Sequence, residues 1–229
     1  MLEAGSALGY LVYPPLEPHE SFHIEHQGDG RYRVIYYLQS TTGGRWQPVF
    51  SLTVALPIGS VGMMTEDLEF AVQNPPMSRE DAMRLAYAFI VPADLGTPPG
   101  AISLRGATNF QTPSGWDTVY VPVLNMIDRP LAPMLVVRVE TDWYAHESTF
   151  RYVLQPSEGI PGSHNMPIGQ VFFVPREEVT LRDCTDEEVA AIRQSMEEFS
   201  REKAALHQTT SFGLGYSPLY QRRSRSQKP

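Results

Sequence analysis

The sequence predicts a mainly β protein, an antiparallel β-sandwich or barrel with one short internal helix and one long C-terminal helix. The 229 residues include 20 prolines and 17 glycines, which disfavour long helices and favour short strands joined by turns. Alternating apolar and polar residues recur up to about residue 174, a pattern typical of strands with one buried face. We therefore expect a β-rich domain over 1–184, an amphipathic helix over 185–207 and a mobile basic tail over 208–229.

The segment HESFH at residues 19–23 matches the zinc-protease pattern H-E-x-x-H. That pattern needs a helix, on which the two histidines share one face. Here Phe22 and Ile24 alternate with polar residues, which indicates a strand. On a strand His19 and His23 would lie about 13 Å apart, which is too far to bind one ion. The following Gly28-Asp29-Gly30 indicates a hairpin turn, so we predict a β-hairpin here and not a protease site.

The remaining strands follow from apolar alternation and from the prolines and glycines that end each run. Met134 to Val139 is an unbroken run of mostly apolar residues, which predicts a strand buried on both faces. The segment 156–167 is rich in Gly, Pro, Ser and Asn and is predicted to be a loop. The predicted strands lie near residues 8–13, 31–38, 49–56, 68–72, 102–104, 116–125, 134–139, 150–155 and 168–174.

Two segments carry helix start signals. Ser78 and Asp81 have the spacing of a capping box, and apolar residues then recur at helical spacing to about residue 90. Thr185 and Glu188 form a second capping box before a longer helix. Its narrow apolar stripe favours docking on the β body or on a partner's helix. A homo-oligomer formed through residues 185–220 is therefore one expectation. The stripe consists of Val189, Ile192, Met196, Phe199 and Leu206, with Lys203 interrupting it.

Composition limits the classes of partner. The net charge of −8 argues against binding to nucleic acid or anionic lipid. No apolar run is long enough to span a membrane, and the N-terminus lacks the basic segment of a secretion signal. The single cysteine, Cys184, fits a reducing compartment. We expect a cytoplasmic protein with a small-molecule ligand and with neither membrane nor nucleic acid as partner.

The candidate catalytic residues come where the strand 134–139 ends. Glu140 and Asp142 flank a turn beside Trp143, and an apolar wall of low dielectric can raise the pKa of a carboxyl toward neutrality. His146 follows in the same loop. The alternative interpretation is that both acids are solvated or paired turn residues, because most carboxylates lie at the surface.

A second group of candidate residues lies on the loop after residue 104. Loops between strands commonly carry ligand contacts, and Arg105, Asn109 and Trp116 lie on this one. Arg105 is expected to hold an anionic group through two hydrogen bonds or to brace the loop by pairing with an acid. We expect the pocket to lie between this loop and residues 140–146, with Asp142 as general base or charge partner and Trp143 as an apolar wall.

Other chemistry has weaker support. The sequence contains no P-loop, G-x-G-x-x-G, C-x-x-C or G-x-S-x-G pattern, so it offers no motif for nucleotide-dependent, dithiol or serine-hydrolase chemistry. His146 and His164, with Asp142 or Glu147, are a candidate set for iron or zinc. Surface histidines without a ligand explain the same residues equally well. The sequence itself indicates no particular cofactor.

Four segments are similar to a poorly characterised bacterial family of unknown function. They are spread in order over residues 8–178, and ETDW is the most distinctive part. Members often occur in biosynthetic contexts, so the resemblance implies small-molecule chemistry, here an enzyme of bacterial specialised metabolism. After Trp143 the chain departs from the family pattern. The four segments are GYLVYPP, PPGAISLRGATN, VVRVETDW and MPIGQVFFVP.

The order of several residues also resembles the deoxyuridine triphosphatase and deoxycytidine triphosphate deaminase group. Arg105, Asp142, the Ile168-x-Gln170 strand and the glycine-rich aromatic tail Phe212-Gly213 with Gly215 follow that order. The resemblance implies a β-clip-like body and adds Gln170 to the candidate substrate contacts. Gly106-Ala107 stands where the triphosphate-binding serine would follow Arg105, so nucleotide hydrolysis is not implied.

Three functions are therefore open. The leading one is a small-molecule-binding protein with a carboxylate, arginine and tryptophan pocket. The others are a metal-dependent enzyme and a non-catalytic subunit that assembles through its C-terminal helix.

Overall fold

The computed structural model describes residues 9–40, 44–55, 64–91, 98, 100–124, 134–209, 211, 213 and 215–226. The chain divides into two compact units, Met1–Glu177 and Glu178–Pro229. The first unit is built from antiparallel strands, as the sequence predicts. Its strands are β1 (Tyr10–Val12), β2 (Glu20–Gly28), β3 (Arg31–Gln39), β4 (Trp46–Ala55), β5 (Met64–Phe70), β6 (Ile90–Val91), β7 (Ala101–Arg105), β8 (Trp116–Val121), β9 (Met134–Leu135), β10 (Val137–Val139), β11 (Thr149–Val153), β12 (Gly159–Ser163) and β13 (Gly169–Pro175).

A five-stranded sheet has the order β12-β2-β3-β4-β5. The hairpin between β2 and β3 forms at Gly28-Asp29-Gly30, where all three residues adopt positive φ angles of 95°, 50° and 70°. His19 lies in the turn before β2 and Glu20 to His23 lie within the strand, so the H-E-x-x-H segment is not helical, as predicted. Strand β12 pairs with β2, which makes the prediction of a loop over 156–167 wrong. Its Gly and Pro content hid a strand that long-range pairing stabilises.

Helix α1 (Arg79–Phe89) packs against the core that this sheet helps to form. Ser78 and Asp81 make both hydrogen bonds of the predicted capping box, which satisfies backbone N–H groups at the helix start. The buried face holds Ala82, Ala86 and Phe89, and the ring of Phe89 stacks on Phe22 of β2 at 4.7 Å between centroids. The apolar stripe of α1 is therefore part of the hydrophobic core.

Two four-stranded sheets complete the first unit, with the orders β1-β13-β8-β10 and β6-β7-β11-β9. The predicted single strand over 134–139 is split between them, because β9 pairs with β11 whereas β10 pairs with β8. Val136 at the break is 62% exposed, so the prediction of burial on both faces is wrong. Among the described strands no sheet closes on itself, and the barrel alternative is therefore wrong for this part of the chain.

Aromatic and β-branched side chains of all three sheets share one core. Gly169 at the start of β13 leaves room for the ring of Phe150, since a Cβ atom there would lie 2.0 Å from the ring atom Cδ1. Tyr120 of β8 meets Phe150 of β11 edge to face at 5.6 Å. The largest fully buried side chains are Tyr32, Tyr36, Tyr120, Tyr152, Phe22, Phe50, Phe89, Phe150, Ile24, Leu52, Ile90 and Ile102.

The second unit contains α2 (Asp186–Ala205), β14 (Gln208–Thr209), β15 (Gly215–Tyr216) and α3 (Leu219–Ser226). Helix α2 begins at the predicted capping box of Thr185 and Glu188. Arg182 hydrogen-bonds Glu188 and, together with the backbone N–H of Thr185, lowers the pKa of that carboxyl to about 2. The long helix is not the last element, because the short α3 follows it within the predicted basic tail. Phe212 and Lys228 of that tail lie outside the described residues.

No helix in the described part of the chain is long and apolar enough to cross a membrane.

Candidate functional site

The loop over residues 140–147 follows β10 and begins with a tight turn. Its first turn is closed by hydrogen bonds from the Thr141 N–H to the Val139 carbonyl at 3.0 Å and from the Tyr144 N–H to the Glu140 carbonyl at 3.0 Å. The Thr141 side chain is buried and its hydroxyl shares hydrogen bonds with Thr118 at 2.6 Å and Thr112 at 3.0 Å. These hydroxyl contacts fix the 140–147 loop to β8 and to the segment before it.

Asp142 is fully engaged by hydrogen-bond donors. Its Oδ2 accepts from the backbone N–H of Gly115 at 2.9 Å, and its Oδ1 accepts from Arg176 at 2.7 Å. The Arg176 guanidinium, and then the Gly115 N–H, lower the pKa of this carboxyl below its ordinary value. A carboxylate with a lowered pKa is a weak base, so the geometry favours the charge-partner role for Asp142 over the general-base role.

A buried carboxylate that the sequence did not single out lies behind Asp142. Asp117 of β8 has a side chain only 3% exposed, and it accepts hydrogen bonds from Arg138 of β10 and from Arg176, whose Nε lies 2.9 Å away. The Arg176 guanidinium, followed by that of Arg138, holds the pKa of the Asp117 carboxyl below its usual range. Asp117 is a charged residue within the otherwise mostly apolar strand WDTVYV, and this feature of the sequence could have indicated a buried ion pair.

Glu140 and Trp143 form the outer part of the loop. The indole N–H of Trp143 donates to the Glu140 carboxylate at 2.7 Å, and Arg176 approaches the same carboxylate at 3.6 Å. The Trp143 side chain is 70% exposed and its ring lies 5.7 Å from that of Tyr144. Two aromatic side chains therefore stand in solvent next to paired charges.

Two hollows open on either side of the 140–147 loop. The first, of about 560 Å³, is lined by residues of β7, β10 and β11, and the second, of about 520 Å³, lies toward the segment 109–111. Both are lined by Trp143, Ala145, His146 and Glu147. We call the two together the loop-140 hollows. The first is also lined by Ser103, Val137, Arg138, Val139, Glu140, Tyr144, Thr149 and Arg151, and the second by Asn109, Phe110, Gln111, Thr141 and Asp142.

His146 is the half-buried titratable group at the centre of these hollows. Its ring stacks on Tyr144 at 5.5 Å and meets the buried Tyr120 edge to face at 6.1 Å. Burial lowers the pKa of the imidazole below 6.5, against the opposing charge of Glu147. A neutral imidazole has one nitrogen lone pair that accepts a proton, so His146 is the candidate proton acceptor of the site.

Arg105 and Asn109 reach the 140–147 loop, as the sequence predicts. Arg105 pairs with Glu147 at 2.8 Å, which is the bracing role and not the anion-clamp role. The Asn109 side-chain oxygen accepts the backbone N–H of Ser148 at 2.9 Å while the residue also lines the second hollow. The two distant groups of candidate residues therefore meet on one side of the first unit.

Trp116 and Gln170 do not line the loop-140 hollows. Trp116 begins β8 opposite Pro175 and is 40% exposed. Gln170 is 1% exposed and its side-chain oxygen accepts the backbone N–H of Leu124 at 3.0 Å. Gln170 is therefore buried away from these hollows, and Trp116 lies beside Gly115, whose N–H binds Asp142, so their role as substrate contacts stays a prediction. Arg138 and Arg151 line the first hollow instead, and local sequence gave no sign of either.

The candidate metal ligands are not brought together. His164 lines a separate hollow beside Trp46 and Ser21, whereas His146, Asp142 and Glu147 lie at the loop-140 hollows. Across the described ranges no three His, Cys, Asp or Glu side chains are grouped to hold a metal ion. The ligand set expected from the sequence does not form.

No protein-family model matches the chain. No curated protein and no solved structure matches it either. The resemblances to the bacterial family of unknown function and to the β-clip group therefore stay predictions.

Proposed function

We propose that this protein binds a small molecule in the loop-140 hollows. The observation that carries the proposal is the meeting of residues 105–109 with residues 140–147, which surrounds the half-buried His146 with paired charges and exposed aromatic rings. Pockets that combine apolar walls with a few fixed polar groups and a group of shifted pKa are typical ligand sites. The volumes of the two hollows suit a metabolite-sized ligand.

The lining favours a flat ligand that carries an anionic group. Trp143 and Tyr144 present aromatic faces, against which planar rings stack. Arg138 and Arg151 line the first hollow from neighbouring strands, and guanidinium groups recognise carboxylates through paired hydrogen bonds. An aromatic or heteroaromatic carboxylic acid satisfies both features.

As an enzyme, the protein would use His146 as its proton acceptor. The Asp142 and Glu140 carboxylates would hold charge near the reacting group, with Arg176 fixing their positions. The resemblance to the bacterial family implies an enzyme of specialised metabolism. The lowered pKa of His146 supports its role as proton acceptor, since a neutral imidazole is the form that removes a proton.

A fluorescence titration tests the binding proposal. The variant Trp46→Phe/Trp116→Phe keeps Trp143 as the remaining tryptophan of the three in the chain. A panel of aromatic and heteroaromatic carboxylic acids is titrated against it, and we expect at least one to quench Trp143 emission saturably. Arg151→Gln should weaken that binding about tenfold or more, whereas Arg84→Gln on the exposed face of α1 should leave it unchanged. Equal binding by the two variants, or no saturable quenching by any acid, rejects the proposal.

We propose in addition that the chain self-associates through residues 185–220. The supporting observation is that α2 contains no buried residue over its 20 positions, although its sequence carries an apolar stripe. A non-catalytic assembly subunit is the alternative function that this observation favours. Loss of oligomers but not of ligand binding on truncation after residue 184 would support assembly through this segment.

A further inference from the structure

The apolar stripe of α2 has the spacing of a coiled coil. Successive members are separated by three, four, three, four and three residues, which is the a/d pattern of a heptad repeat. The stripe is most open at Ile192 and Met196, which are 52% and 65% exposed, whereas the Arg223 guanidinium of α3 lies over the Phe199 ring at 5.4 Å. In heptad terms Val189, Met196 and Lys203 occupy a positions and Ile192 and Phe199 occupy d positions, whereas Leu206, at the next d position, is the C-cap residue of α2.

The residues beside the stripe distinguish the two orientations of a helix pair. With these assignments the g positions are Glu188, Ser195 and Glu202, and the e positions are Arg193, Ser200 and His207. In a parallel pair each g residue faces the e residue five positions later on the partner. Glu188 then meets Arg193 and Ser195 meets Ser200, whereas the position that would face Glu202 falls on His207, two residues beyond the end of α2 at Ala205. The parallel orientation therefore has attractive or neutral pairs at both steps within the helix.

An antiparallel pair would bring like charges together. In that orientation g positions face g positions, so that Glu188 of each copy faces Glu202 of the other. Like charges held side by side are destabilising. The charge pattern thus favours the parallel orientation at both ends of the stripe.

The glutamates at g are already ion-paired within their own chain. Glu188 pairs with Arg182 and Glu202 pairs with Arg223, both at 2.6 Å, and their side chains are 42% and 50% exposed. Exposed ion pairs contribute little free energy, and a carboxylate has lone pairs for more than one donor. The existing pairs are therefore compatible with a second cation arriving from a partner helix.

We propose that two copies of the chain pair through α2 as a parallel, in-register, two-stranded coiled coil. This inference rests on the proposed self-association and specifies its geometry. Lys203 is the charged residue within the a/d stripe, and a single polar a position fixes register and strand number at a cost in stability. Because α2 offers fewer than three complete heptads, we expect a weak, concentration-dependent dimer.

The single cysteine of the chain reports the orientation. Cys184 is exposed and lies directly before the helix N-cap Thr185. Ala205, at the last turn, lies three heptads later and occupies the same heptad position as Cys184. The helix spans about 30 Å, so the two sites on one helix are far beyond the reach of a short bismaleimide. The full chain and its Cys184→Ser/Ala205→Cys variant therefore form a matched pair of probes.

A parallel pair predicts that each protein crosslinks to its own copies and that a mixture of the two, one carrying a mass tag, gives no mixed product. An antiparallel pair predicts the reverse, and that result would overturn the orientation while leaving self-association intact. Sedimentation velocity supplies the independent readout of association. A chain that stays monomeric at all concentrations rejects both the self-association and the coiled coil.

Substitution in the stripe tests whether α2 is the interface. Met196→Glu should weaken dimerisation about a hundredfold and abolish the crosslink, because it places a charge at an a position on each helix. Ala190→Glu adds the same charge at an outward b position and should leave the dimer unchanged. Dimerisation that is insensitive to Met196→Glu would place the interface elsewhere and refute the proposal.

Discussion

Arg176 donates a hydrogen bond to Asp142 across 2.7 Å and so joins the residue after β13 to the loop after β10. The same guanidinium hydrogen-bonds the buried Asp117 of β8. One cation therefore connects two neighbouring strands, β13 and β8, to the 140–147 loop. The position of His146 and Trp143 beside the loop-140 hollows depends on this connection.

Asp117→Asn should destabilise the first unit. Asp117 is the buried anion that faces both Arg138 and Arg176, and its neutralisation leaves two guanidinium groups close together without their shared partner. We expect the free energy of unfolding to fall by about 2 kcal/mol, measured by urea denaturation. Glu80→Gln, which removes an exposed ion pair of α1, should have no measurable effect. Equal effects of the two changes would contradict this account of the network.

The contribution of Asp142 to stability should disappear in acid. Its carboxyl pKa in the folded protein is lowered from 3.8 by Arg176 and the Gly115 N–H, so the unfolded chain takes up the proton first. The stabilisation is therefore present above about pH 4 and is lost as the pH falls through the lower folded value. The difference in urea midpoint between wild type and Asp142→Asn should be constant from pH 5 to 7 and shrink below pH 4. If the difference in urea midpoint persists at low pH, or if the exposed Asp67→Asn gives an equal difference, the charge of Asp142 is not the source of the stabilisation.

His146 should titrate below an ordinary histidine. Burial lowers its pKa from 6.5, so the folded state binds the proton less readily than the unfolded state. Stability from the neutral ring is present above pH 6.5 and is lost as the pH falls through the folded pKa. NMR titration of the ring protons should show this shift, with assignment by His146→Gln. A ring that titrates at or above 6.5 would contradict the lowering of its pKa by burial.

Lys203→Leu should tighten self-association. The change replaces the charge within the a/d stripe with an apolar side chain, and the apolar area buried between helices then stabilises the pair. We expect the dimer dissociation constant to fall about tenfold or more, with larger oligomers appearing because the polar restriction on strand number is lost. Sedimentation equilibrium measures both effects. Arg201→Leu, at an outward f position, is the control, and weaker association of Lys203→Leu would refute its place in the stripe.

Local signals in the sequence predicted much of the fold correctly. The capping boxes at Ser78 and Thr185 marked both long helices to within about two residues, because they act through hydrogen bonds over four positions. The turn at residues 28–30 was predictable because glycine adopts positive φ angles at little cost and aspartate tolerates the left-handed region better than most residues. The strand nature of residues 19–23 followed from apolar alternation. Each of these features depends on residues close together in the chain.

The candidate site was predictable only in outline. Asp142, His146 and Asn109 were identified because polar residues at strand ends and in loops are typical of ligand sites. The sequence did not identify Arg138, Arg151 and Arg176. The partner of a charged residue on or beside a strand is known only once distant strands have paired. Gln170 became a candidate through the resemblance to the β-clip group, and only the tertiary structure gives its burial and its hydrogen bond from Leu124.

The sequence by itself determined the antiparallel β content, the position of α1 and α2 and the presence of ionisable residues after β10, because periodicity and capping are local properties. Only the tertiary structure decided that residues 134–139 divide between two sheets and that Asp117, Asp142 and Arg176 form one network. Strand pairing joins segments tens of residues apart, and the free energy of that pairing depends on the whole core and not on any local pattern.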